Sequence, residues 1–70
     1  MTMQTLTDKR MACEMIADLA HRIALWRWTP KQAGQRDSAL LCLRDAETLY
    51  TAGQYPDAIR RAARGGLFVY

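Results

Sequence analysis

The sequence is poor in the residues that carry chemistry. It has one histidine, two cysteines and two prolines. No apolar run approaches the ~20 residues that a membrane-spanning helix needs. With His21 alone, no Ser-His-Asp or Cys-His arrangement follows from the spacing. On a helix Cys13 and His21 fall about 80° apart, and His21 stands among charged residues, as a solvated histidine does. Two cysteines and one histidine at distant positions make no zinc signature, so no metal and no cofactor are expected. Gly65-Gly66 lacks the helix and lysine that follow a phosphate-binding loop. The expectation is a protein without catalytic residues. Linkers, low-complexity segments and internal repeats are absent as well.

Apolar residues, by contrast, are plentiful. They make up 50% of the 70 residues, with two tryptophans, three tyrosines and four methionines. That is too apolar for disorder. It fits one domain over residues 1–70, yet so short a chain buries only ~60% of the surface it exposes when unfolded. A small fold with this much apolar surface calls for a staple or a partner. Met1–Arg10 is polar and does not read as a signal peptide, so the expected setting is cytoplasmic. Cys13 and Cys42, each inside a helical pattern, are then expected as reduced, buried thiols, with an interhelical disulfide as the less favoured alternative. The formal net charge of +3 permits contact with nucleic acid without demanding it.

The patterning predicts an all-α fold. A first helix is expected over about residues 8–28, after a frayed leader, Met1–Leu6. Thr5 with Asp8 offers a weak capping box there, and Thr7 is the competing cap. Ala12, Ile16, Leu19, Ile23 and Trp26 recur at spacings of four, three, four and three, the seam of two packed helices. Cys13, Ala17, Ala20 and Ala24 form a second stripe of small residues, so the helix can be approached from two sides. Asp18 and Arg22 are spaced for an ion pair. Thr29-Pro30-Lys31-Gln32 is a restart signal with a capping box, and Pro30 should end the first helix. After a weak first turn, firm helix is expected over 37–52, burying Ala39, Cys42, Leu43, Ala46, Leu49 and Tyr50 while Leu41 points away. Gly53 is a natural C-cap, and a short third helix should run over 56–64 until Gly65-Gly66. The expected architecture is an antiparallel helical hairpin, completed by the third helix and an apolar tail, Leu67–Tyr70.

The segment Ala46–Ala62 resembles the turn between the two helices of a tetratricopeptide repeat, with Gly53, Tyr55, Ala58 and Ile59 in the matching places. The repeat's early bulky residues are missing, Ala62 stands where an aromatic is usual, and the chain has room for two ~34-residue units at most. An ordinary αα-hairpin turn accounts for it better. The same segment also resembles a DNA-binding helix-turn-helix, whose second helix would present Arg60, Arg61 and Arg64 to phosphates. Asp57 at the start of that helix opposes this, and an Asp57–Arg61 pair with the helix dipole explains the arginines without DNA.

Trp26-Arg27-Trp28 cannot place both indoles on one face, because neighbouring helical residues diverge by ~100°. Trp26 joins the core stripe, which leaves Trp28 in search of cover. Leu25, Leu41, Leu67, Phe68 and Tyr70 pose the same question. These six residues are the expected protein-binding set, since aromatics dominate interface hot spots. Ala12, Ile16, Leu19 and Ile23 are the expected seam of a symmetric homodimer. The function expected is recognition of a larger protein as an inhibitor or adaptor, away from membranes. A small DNA-binding regulator using Gly53–Arg64 is the alternative. In size and lack of chemistry the chain resembles the small helical proteins with which phages and other mobile elements disable host machines.

Overall fold

The computed structural model describes residues 3–69, with side chains from Leu6 to Val69. All of its regular structure is helical. The elements are α1 (Met3–Leu25), a 3₁₀ turn (Pro30–Gln32), α2 (Ala33–Thr51), α3 (Tyr55–Gly65) and a final 3₁₀ turn (Gly66–Phe68). Among the described residues there is no strand, and no helix is long and apolar enough to cross a membrane.

The helix ends correct the expected boundaries. α1 starts at Met3, so the Thr5–Asp8 box lies inside the helix and Leu6 is helical. It stops at Leu25, three residues early, because Trp28 turns back. The Trp28 indole Nε1–H donates to the Ile23 carbonyl at 3.0 Å, and the Trp26 amide donates to the Arg22 carbonyl at 2.9 Å. A side chain thus satisfies one of the carbonyls that a helix end leaves open. Thr29 then starts the 3₁₀ turn, its amide donating to Gln32 Oε1 at 3.2 Å. This turn runs directly into α2, which therefore begins at Ala33, ahead of the expected Asp37.

At the other end of α2, Gly53 adopts φ 80°, the left-handed conformation that glycine reaches without a Cβ penalty. Its amide donates to the Tyr50 carbonyl at 3.0 Å, and the Gln54 amide donates to the Leu49 carbonyl at 2.9 Å. Those paired bonds form a Schellman cap. Pro56 stands in the first turn of α3, where its missing N–H costs nothing.

α3 is the keystone, packed against both longer helices. Ala58, Ala62 and Gly65 lie at spacings of four and three and are all buried. A Cβ on Gly65 would sit 2.7 Å from Leu19 Cδ2 and 3.0 Å from Cys42 Cβ. Gly65 is the last residue of α3, as expected, and it is also the point where three elements meet. Elsewhere the core is also small: Ala12, Ala39, Ala46 and Ala58 are fully buried. Larger side chains gather at one end, where Leu19, Ile23, Ala39 and Val69 form a cluster that Trp26, Trp28, Leu43 and Phe68 pack against. The apolar tail has folded back to supply Val69, which is 1% exposed.

Candidate functional site

Only part of the expected protein-binding set is open to a partner. Leu25, Leu41 and Leu67 are 68%, 60% and 69% exposed. Trp28 and Phe68 are half-buried and packed on the chain's own core. Trp28 is further tied down by its bond to Ile23, so capping α1 is its structural role. Tyr70 lies outside the described residues.

Two of the three leucines share a neighbourhood. Leu25 borders a hollow with His21, Arg22 and Val69, and Leu67 borders a groove with Met15, Asp18, Arg22 and Ala63. Arg22 lies between them, paired with Asp18 at 2.9 Å, as the i,i+4 spacing predicted. The resulting surface is apolar at both flanks, with a solvated ion pair in the middle. Leu41 stands on the side of α2 turned away from Ala39, about 200° round the helix from it, and does not belong to this surface.

The seam expected to join two copies is closed within the chain. Ala12, Leu19 and Ile23 are buried and Ile16 is half-buried. The side of α1 that stays open is the second stripe, with Cys13, Ala17 and Ala24 exposed and Ala20 half-buried. Cys13, Ala17 and Ala20, together with Ile16, line a groove of about 450 Å³ against Glu47, Tyr50 and Thr51 of α2. Cys13 therefore departs from the expectation of a core thiol, whereas Cys42 is buried. Both cysteines are free.

Two further apolar residues escaped the sequence reading. Leu6 is 54% exposed on the part of α1 that reaches back through the supposed leader, and Met11 is exposed on the side of the helix that carries Asp18 and Arg22. The signal was there for Leu6, which stands seven residues before Cys13 and extends its stripe.

The basic candidates are partly neutralised. Arg60 is paired with Asp57, and Arg61 Nε lies 3.8 Å from Asp45 Oδ2, a bridge from α3 to α2. The expected Asp57–Arg61 pair is thus replaced by these two. Arg64 completes the shallow surface that Arg60 and Arg61 share with Leu49 and Asp57. Among the described residues no three His, Cys, Asp or Glu side chains converge where they could hold a metal ion.

The size of the open surface is itself informative. A compact monomer of 8.0 kDa exposes about 4,450 Å². This chain exposes 5227 Å², roughly 780 Å² more, as a body extended over 45 × 17 × 15 Å must. Its radius of gyration, 12.6 Å, likewise exceeds the about 11 Å expected of a compact domain of this length. No protein-family model, curated protein or solved structure matches the chain.

Proposed function

We propose that this chain is a non-enzymatic protein-recognition module, which occupies or blocks a surface on a larger protein partner. The observation that carries this reading is the exposed pair Leu25 and Leu67 on either side of the Asp18–Arg22 ion pair. Isolated exposed leucines are ordinary, but two at about 70% exposure beside a common charged pair make an apolar patch with a polar centre. Burying both removes apolar area from water at ~25 cal/mol per Å², the main favourable term in association. The ion pair is solvated and contributes register more than affinity.

In this reading the chain is an antiparallel helical hairpin of α1 and α2, held by α3 and the returned tail, and it works as a dimer. Action as an inhibitor or adaptor, like the phage proteins it resembles in type, is part of the same proposal. Nucleic-acid binding through Arg60, Arg61 and Arg64 is disfavoured by the carboxylates already facing two of them. Affinity capture separates the readings. Leu25→Ser with Leu67→Ser should lose the protein partner at least tenfold, while alanines at Arg60, Arg61 and Arg64 should retain it. If the arginine variant loses its ligand and that ligand is nucleic acid, the proposal is wrong.

A further inference from the structure

We propose that the groove between α1 and α2 is the seam of a symmetric dimer, occupied by α1 of a second copy running antiparallel. The inference rests on the self-association proposed above and adds the surface and its register.

Leu6, Arg10, Cys13, Ala17, Ala20 and Ala24 follow one another at spacings of four, three, four, three and four. That is the heptad spacing that keeps one stripe facing a partner helix along its whole length. The stripe spans about 27 Å at 1.5 Å per residue. It is exposed except at half-buried Ala20, and the groove beside it is floored by Ile16 and Tyr50. Among the described residues nothing fills that groove, whereas Ala12, Leu19 and Ile23 of the neighbouring stripe are buried.

The occupant follows from shape and charge. The stripe is large at its beginning, Leu6, and small at its end, Ala20 and Ala24. A two-fold axis beside Cys13 sets each Leu6 against the other copy's Ala20–Ala24 stretch, so that the one bulky residue meets the hollow. The same axis brings Arg10 level with the other copy's Ala17, where the groove carries Glu47. Among the described residues Glu47 has no ion pair, and Arg10 is paired only with Glu14 on its own helix. Both members of that pair are well exposed, so exchanging or sharing the partner costs little. A parallel arrangement would instead set Arg10 against Arg10 and Leu6 against Leu6. This seam lies on a different side of α1 from Leu25 and Leu67 and leaves them free.

Sedimentation equilibrium from 1 to 100 µM tests the proposal, alongside oxidative cross-linking of the native protein. The wild type should approach twice its mass of 8.0 kDa. Oxidation should yield a covalent dimer that Cys13→Ser abolishes and Cys42→Ser retains. Ala17→Glu, at an exposed position, should weaken the dimer at least tenfold with an unchanged melting curve at dilution. Arg10→Glu should weaken it too, and adding Glu47→Arg should restore it. A wild type that stays at 8.0 kDa throughout overturns both the seam and the proposed self-association. A dimer indifferent to Ala17→Glu, or linked without Cys13, overturns the seam alone. Capture of a protein through Leu25 and Leu67 is read separately and is unaffected by either result.

Discussion

α1 carries two stripes of nearly identical spacing with opposite fates. Ala12, Leu19 and Ile23 are buried against the chain's own helices and tail, while Cys13, Ala17 and Ala24 stand open a third of a turn away. The difference lies in what each stripe meets. Leu19 and Ile23 are bulky enough to reach Val69 and the α2 alanine, and Gly65 removes the one side chain that would keep α3 from Leu19. The second stripe offers little apolar area to the chain itself. Small residues gain most when another backbone comes close, and among the described residues no further helix does so. Periodicity tells where a helix can be contacted; side-chain size decides whether its own fold makes the contact.

The largest expected effects come from breaking the closed stripe. Leu19→Ala leaves a cavity where α1, α3 and the tail meet, and should cost about 2–5 kcal/mol in urea unfolding. For a fold with so small a core this is enough to leave much of the chain unfolded. Gly65→Ala should come next, at about 1–3 kcal/mol, because overpacking against Leu19 and Cys42 outweighs the ~1 kcal/mol gained in helix propensity. Trp28→Phe keeps a ring against the cluster but removes the donor to the Ile23 carbonyl, and should cost about 1 kcal/mol. Gly53→Ala meets no atom within 4 Å, so only its positive φ is at stake, for about 1 kcal/mol. Ala24→Ser, on the open stripe, should leave stability within about 0.5 kcal/mol of the wild type. Should Ala24→Ser prove as damaging as Leu19→Ala, the contrast between the stripes would collapse.

Much of this fold was legible in the sequence. The helices followed from apolar spacing, the α2 cap from Gly53, and the ion pair of Asp18 with Arg22 from its i,i+4 distance. Apart from the early starts of α1 and α2, the misreadings share one cause, which is tertiary contact acting on a locally ambiguous segment. Trp28 ends α1 by reaching back to Ile23, which no local propensity reveals. Gly65 ends α3 as expected, but its reason for being small lies in Leu19 and Cys42, which no local pattern reveals. Arg61 chose Asp45 on another helix over Asp57 on its own. Of the candidate surface, Leu25 could be picked out because it fell off the apolar stripe, and Leu67 because it opens the apolar tail. Their grouping could not, since it depends on where the tail returns. The stripe of Ala12, Ile16, Leu19 and Ile23, expected to join two copies, is the better helix-packing surface, and the chain uses most of it for itself.

The central claim is that α1 has one stripe closed by the fold and one left open for recognition. Thiol labelling tests it most directly, because Cys13 lies on the open stripe while Cys42 lies buried opposite the closed one. At submicromolar protein in native buffer, a thiol reagent should modify Cys13 at once. Cys42 should stay protected until the chain unfolds, reacting at least a hundredfold more slowly. Equal rates at the two positions, or Cys42 reacting first, would contradict the account.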